Sequence, residues 1–117
     1  MTAKKIMIIE DDKDILEILE HILSGQDYQV FAFSTGQQID KIREITPDLI
    51  LCDNWLPGTR GTELCKQLKA SDLANIPFIL ISTSMSLTEE AIDCGADSYI
   101  QKPFNIKEVI SIVATYL

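Results

Sequence analysis

Short apolar runs alternate along this chain with longer stretches in which apolar positions recur at helical spacing. Lys5-Ile6-Met7-Ile8-Ile9 is a continuous, β-branched run, as expected for a central parallel strand covered on both faces. From Asp14 to Ser24 the residues Ile15, Leu16, Ile18, Leu19, Ile22 and Leu23 share helical spacing, with Gly25 as a stop. Tyr28 to Phe33 reads as the second strand, and Gly36 to Ile45 as a more polar helix ended by Thr46-Pro47. Leu49 to Cys52 is the third strand and Thr62 to Ala70 the third helix. Pro77 launches a fourth strand over Phe78-Ile79-Leu80-Ile81, and Leu87 to Cys94 makes a short fourth helix before Gly95. Ser98 to Gln101 is a short fifth strand. Ile106 to Leu117 forms the last helix, with Ile106, Val109, Ile110 and Val113 on one stripe.

Five βα units in succession imply an α/β fold: a doubly wound, five-stranded parallel sheet with right-handed crossovers and helices on both faces. A barrel needs about eight such units. At 117 residues the chain suits one compact domain spanning 1–117, with a real hydrophobic core and no room for a second. No linker, internal repeat or low-complexity segment interrupts it.

Composition narrows the setting. With 46% hydrophobic and 24% charged residues, the chain reads as an ordinary soluble globule. It has no apolar run of membrane-spanning length, and its first residues lead straight into a strand rather than a signal peptide. Cys52, Cys65 and Cys94 are odd in number and widely spaced, without metal-ligand pairing, which favours a reduced, cytoplasmic location. The formal net charge of -8 argues against direct nucleic-acid binding, which depends on Lys and Arg neutralising phosphates. It suits a basic protein partner or plain solubility equally well.

Four polar clusters fall where strands end: Glu10-Asp11-Asp12, Asp53, Ser82-Thr83-Ser84 and Lys102-Pro103. In a parallel sheet these ends share one edge, where α/β folds place their chemistry. Acids there can also serve simply as helix caps, as Asp12 or Asp14 would. Converging carboxylates repel unless a cation or proton intervenes. Such a set suits a hard divalent ion that keeps several waters, which describes Mg²⁺ better than zinc. A lysine and a hydroxyl beside it can stabilise charge on a phosphoryl group in transfer, and a carboxylate within the set is a competent nucleophile that would form an acyl phosphate.

These residues carry a resemblance. The acidic pair after the first strand, Asp53 followed by Pro57 and Gly61, the hydroxyl after the fourth strand, and the run Gly95-Ala96-Asp97-Ser98-Tyr99-Ile100-Gln101-Lys102-Pro103-Phe104 stand in one order and spacing. With them the chain resembles, over essentially its whole length, the receiver domain of two-component response regulators. The resemblance implies the flavodoxin-like (βα)5 topology with strand order 2-1-3-4-5. It implies that Asp53 accepts a phosphoryl group, that Asp11 and Asp53 bind Mg²⁺ directly and Glu10 through water, and that the backbone carbonyl of Trp55 is a further ligand. Lys102 would contact the phosphoryl group, with a cis peptide to Pro103. Asp12 would lie outside the ligand set. The partner implied is a sensor histidine kinase or a histidine phosphotransfer protein. The face of the fourth helix, fifth strand and fifth helix would carry the output, a homodimer included.

Ser82 occupies the family's switch-hydroxyl position, counted from Pro77, and Thr83 follows where most members carry Ala or Gly. Thr83 is thus a departure that would narrow access to the phosphoryl group. Choosing it as the switch would shorten a stretch to Gly95 that is already brief, which favours Ser82. Tyr99 stands at the place of the family's rotating aromatic; the plainer alternative is packing on a short edge strand. Trp55, next to the metal position, would shield the acyl phosphate from water. His21 reads as a surface residue, and the cysteines read as packed, without the basic neighbours that mark a reactive thiol.

Three rivals remain at this level. A flavodoxin-like cofactor module would need phosphate donors in its first loop, where Glu10-Asp11-Asp12 would repel the anion. An Mg²⁺-dependent aspartyl phosphatase would place its Asp after the first strand and add a cap. A receiver fold serving only as a docking module would not need Asp11, Asp53 and Lys102 together. The expected role is regulatory rather than enzymatic, in a domain that assists its own phosphorylation and dephosphorylation, either standing alone or within a longer chain.

Overall fold

A computed structural model describes residues 3–36 and 39–117. In chain order the elements are β1 (Lys5–Ile9), α1 (Lys13–Ser24), β2 (Gln29–Phe33), α2 (Ile39–Ile45), β3 (Leu49–Asp53), β4 (Trp55–Leu56), β5 (Thr59–Arg60), α3 (Gly61–Lys69), β6 (Phe78–Ser82), α4 (Leu87–Cys94), β7 (Ser98–Gln101) and α5 (Ile106–Tyr116). Five strands form one sheet in the order β2-β1-β3-β6-β7, every neighbouring pair parallel. With the small β4–β5 hairpin set aside, this is the expected order 2-1-3-4-5. Gln37 and Gln38, inside the expected second helix, lie outside the described residues.

The unbroken apolar runs follow from burial on both faces. Alternate residues of β1, β3 and β6 enter two separate cores. Met7, Ile9, Ile50, Cys52, Phe78 and Leu80 pack with Ile42 of α2, Leu64 and Leu68 of α3 and Ala91 of α4. Ile6, Ile8, Leu49, Leu51, Ile79 and Ile81 pack with Leu19 and Leu23 of α1 and Val109 and Val113 of α5. Each such buried aliphatic chain contributes about 1.5–3 kcal/mol relative to exposure.

Local signals set the helix ends. Asp12 caps α1, its Oδ1 accepting the N–H groups of Asp14 (3.0 Å) and Ile15 (3.2 Å). Asn105 caps α5 through the Glu108 N–H at 2.7 Å. Gly95 closes α4 in the left-handed conformation, φ 83°. Gly25 ends α1 as expected, as its C-cap at a right-handed φ of -66°, and Asp27 two residues later takes the positive φ of 66°. The predicted α5 stripe also narrows. Val109 and Val113 are buried and Ile110 half-buried, but Ile106 in the first turn points outward.

The hairpin is the element the apolar pattern did not predict. Trp55 pairs with Arg60 and Leu56 with Thr59, around Pro57-Gly58, with Gly58 at φ 79°. It joins the end of β3 directly to α3 and so frames the site. In the described residues no helix is long and apolar enough to cross a membrane.

Candidate functional site

Parallel pairing brings the carboxyl ends of β1, β3, β6 and β7 to one edge. Asp53 is the last residue of β3 and pairs with Ile81, one residue before Ser82; Ser82 pairs with Gln101, one residue before Lys102. Glu10 follows β1, fixed by its N–H to the Phe33 carbonyl at 3.0 Å. The four groups predicted at strand ends therefore lie along one sheet edge, and the Lys102–Pro103 peptide is cis.

Carboxylate oxygens of Glu10, Asp11 and Asp53 all lie within 4.8 Å of one another. Glu10 is fully buried and Asp53 nearly so, at 4% exposure, while Asp11 is open to solvent. Lys102 Nζ reaches both buried acids, at 2.5 Å from Glu10 Oε1 and 3.2 Å from Asp53 Oδ1. Burial pushes the Glu10 carboxyl up to about 7; Lys102 pulls it down and the Asp53 charge adds to the rise. Burial likewise raises Asp53, with Lys102 opposing. For Lys102 burial disfavours the charge, yet Glu10 and Asp53 outweigh it and hold the ammonium above its ordinary range.

One ammonium cannot neutralise three carboxylates. Lys102 meets Glu10 through Oε1 alone, and among the described residues Oε2 is buried without a hydrogen-bond partner. A buried carboxylate oxygen in that state carries a full desolvation cost. A hard divalent cation bound by an all-oxygen set would relieve it, so the residues present fit Mg²⁺.

The hydroxyl groups separate clearly. Ser82 is buried at the end of β6, and its Oγ accepts the Ser84 N–H at 3.0 Å. Thr83 is exposed and lines a cavity of about 560 Å³ with Lys102, Pro103, Phe104 and Ile15. Gln101 Nε2 steadies this loop by donating to the carbonyls of Ser82 (3.3 Å) and Ser84 (3.2 Å). Tyr99 on β7 is turned outward, 38% exposed, rather than packed away. Trp55 is half exposed on the hairpin, with the Arg60 guanidinium 4.3 Å from its ring centroid. His21 is on the surface, as expected.

Asn54 went unnoticed in the sequence and is central in the fold. It is fully buried; its Nδ2 donates to Glu90 Oε2 at 3.0 Å and its Oδ1 accepts the Thr62 N–H at 3.3 Å. The available signal was an amide directly after a strand-end Asp, ahead of an otherwise apolar position. Cys94 shares a cavity wall with Arg60 and Lys66 but also with Glu63, Glu90 and Asp93, so its surroundings are mixed in charge rather than basic.

The likenesses to known proteins agree with this geometry. The sequence profile of the response regulator receiver domain matches residues 6–114. A protein of Chloroflexus aurantiacus J-10-fl assigned to the response regulators is 28% identical, with a TM-score of 0.92 and coverage of 98% of both chains. A response regulator receiver domain protein of Methanospirillum hungatei JF-1 is 29% identical over 97% of this chain and 93% of its own, with a TM-score of 0.87. The receiver domain of a signal transduction histidine kinase from Syntrophus aciditrophicus is 34% identical over 98% of this chain and 90% of its own, with a TM-score of 0.85. With the profile matched across nearly the whole chain and the acids and lysine meeting at one sheet edge, the chain belongs to the response regulator receiver domain family.

Proposed function

We propose that Asp53 is the phosphoacceptor of a single receiver domain spanning residues 1–117. The carrying observation is its placement: a nearly buried carboxylate at the end of β3, in contact with Lys102 and clustered with Glu10 and Asp11. The donor is the phosphohistidine of a sensor histidine kinase or histidine phosphotransfer protein. An Asp53 oxygen forms the new P–O bond as the P–N bond to the donor imidazole breaks, and the electron pair leaves with the imidazole. Lys102 stays cationic throughout the neutral range and pairs with the transferred group. Asp11, Asp53, Glu10 and the Trp55 carbonyl would hold Mg²⁺, which supplies charge neutralisation to the phosphoryl oxygens.

Ser82 is the switch hydroxyl of this reading. It is buried, and its carbonyl accepts the Lys102 N–H at 2.9 Å, whereas Thr83 is exposed in a cavity that Lys102 also lines and would narrow access there. Its movement toward the phosphoryl group would let Tyr99 turn inward, biasing an existing two-state equilibrium. The readout is the face of α4, β7 and α5, where Ile92 and Tyr99 are exposed; a partner or a second copy would bind there. The role is regulatory and cytoplasmic, without direct contact to nucleic acid.

Incubation with Mg²⁺ and acetyl phosphate tests this directly. The wild-type chain should gain one phosphoryl mass, Asp53→Asn should not, and chelation of Mg²⁺ should prevent the gain. A folded wild-type chain that incorporates nothing under these conditions overturns the reading in favour of a docking-only module.

A further inference from the structure

Three free cysteines lie in one apolar cluster on the α2–α3–α4 side of the sheet, yet their surroundings differ. Cys52 on β3 has no exposed surface, and burial first, then the charges of Asp53 and Glu10, push its thiol well above the ordinary range. That thiol is inert. Cys94 ends α4 and forms part of the wall of a cavity of about 210 Å³. The charged groups of that cavity are Arg60 from the hairpin, Glu63 and Lys66 from α3, and Glu90 and Asp93 from α4. Arg60, Glu63 and Lys66 are exposed, so the cavity gives a small reagent a path to Cys94.

Cys65 meets Cys94 across the packing of α3 on α4. Its Sγ donates to the Cys94 carbonyl at 3.3 Å, while Cys94 Sγ donates to the Ala91 carbonyl at 3.4 Å. The neighbouring Cys65 thiol, then the Ala96 N–H and the Lys66 charge, bring the Cys94 thiol down to about 7 against its burial. The same neighbour, together with burial, pushes Cys65 up. A depressed thiol at a cavity, with a second thiol behind it, is the arrangement of an attacking and a resolving cysteine.

We propose that Cys65 and Cys94 are an oxidisable pair, converted by hydrogen peroxide into an intramolecular disulfide that clamps α3 to α4. The Cys94 thiolate attacks one peroxide oxygen; an S–O bond forms, the O–O bond breaks, and the departing hydroxide takes a proton to become water. Cys65 then attacks the Cys94 sulfenic sulfur, so that the S–S bond forms and the S–O bond breaks, releasing a second water. Two thiols and one peroxide give one disulfide and two waters. The sulfurs lose two electrons and the peroxide oxygens gain them. The helix so clamped is the one whose Glu90 holds Asn54 beside Asp53, so oxidation acts on the same element that the phosphoacceptor loop leans on. The pair stands independently of the proposed phosphotransfer.

The test treats the reduced, native chain with hydrogen peroxide and reads mass and non-reducing peptide maps. Expected is the loss of two hydrogens, a Cys65–Cys94 linked peptide, and full reversal by dithiothreitol. Cys52→Ser should keep the cross-link and Cys94→Ala should lose it. Cys65→Ala should leave Cys94 as a sulfenic acid that dimedone traps. A link involving Cys52 overturns the proposal. So does direct over-oxidation of Cys94 in the wild-type chain, or a native chain inert to peroxide that cross-links only in denaturant. The wild-type measurements stand even if a variant folds poorly.

Discussion

The Asn54 amide donates to the Glu90 carboxylate at 3.0 Å, tying the residue after Asp53 to α4. Every polar group of Asn54 is engaged. Its backbone N–H donates to Ile81 (3.0 Å), its carbonyl accepts from Gly61 (3.0 Å), and its Oδ1 accepts from Thr62 (3.3 Å). One buried residue thus joins β6 through its backbone, and the start of α3 and the middle of α4 through its side chain. Glu90 depends on it, because its other oxygen, Oε1, is buried without a partner among the described residues.

Truncating either partner should therefore reveal coupling. Asn54→Ala leaves a half-buried carboxylate with neither oxygen satisfied, and Glu90→Ala leaves a buried amide N–H unpaired. Each should cost about 1–3 kcal/mol. The double variant should cost less than the sum, by about 1 kcal/mol or more, in a urea-unfolding cycle. Strict additivity would break the link between the Asp53 loop and α4.

Gly61 is required for a different reason from the hairpin's Gly58. Its φ is not positive; instead, a Cβ there would stand 2.5 Å from the Asp53 carbonyl oxygen and 3.2 Å from the Asn54 Cα. Both are backbone atoms and neither can swing aside. Gly61→Ala must push the end of β3 away from α3, and overpacking of this kind costs about 1–3 kcal/mol. The displaced segment carries Asp53, so phosphorylation by acetyl phosphate should slow as well. Gly58→Ala, which meets nothing within 4 Å, pays only its backbone strain and should leave the phosphorylation rate unchanged.

The buried acid pair sets a pH dependence. Glu10 titrates near 7 in the folded chain against 4.5 for an ordinary glutamate, so between those values the folded state holds more protons than the unfolded one. Stability then falls as pH rises through this window, with the slope set by the difference in bound protons. Asp53, raised in the same direction, reinforces the fall. A bound divalent cation removes the penalty by pairing with the ionised carboxylates. The melting temperature without metal should decline from pH 5 to pH 8, and the gain on adding Mg²⁺ should be larger at pH 8 than at pH 5. Glu10→Gln should flatten the metal-free profile. A profile as steep as wild type in that variant would move the cause elsewhere.

The large elements were legible because each is buried in a way its residue types announce. β1, β3 and β6 are apolar on both faces, and α1 carries a single apolar stripe down to the buried Leu19, Ile22 and Leu23. The strand-end positions of Glu10, Asp53, Ser82 and Lys102 followed from counting along those runs. What was not legible depends on contacts distant in sequence. The β4–β5 hairpin has two residues in each strand, too few for any period to register. Asn54 finds its carboxylate 36 positions away, and the surroundings of Cys94 are assembled from the hairpin and α3. Gly25 was legible as the stop of α1, but the reversal after it was not: an aspartate, whose short side chain tolerates positive φ, makes it at Asp27.

Trp55 supplies the last prediction, which rests on Asp53 as the phosphoacceptor. Its indole is half exposed, too open for a core residue, yet the Arg60 guanidinium stacked at 4.3 Å holds it in place across the hairpin. A stack at such an exposed site contributes about 0.5–1 kcal/mol, enough to bias the ring's position without adding much to global stability. A large ring fixed two residues from an acyl phosphate limits the approach of water. Trp55→Ala should shorten the lifetime of the phosphorylated chain by about fivefold, roughly 1 kcal/mol in barrier height. Arg60→Ala should act in the same direction but less, because the ring remains and only its restraint is lost. Both decays are read from the phosphorylated mass after the donor is removed, and both variants should melt within about 1 kcal/mol of wild type. Equal lifetimes for wild type and Trp55→Ala would assign the ring to the docking surface rather than to protection of the phosphoryl group.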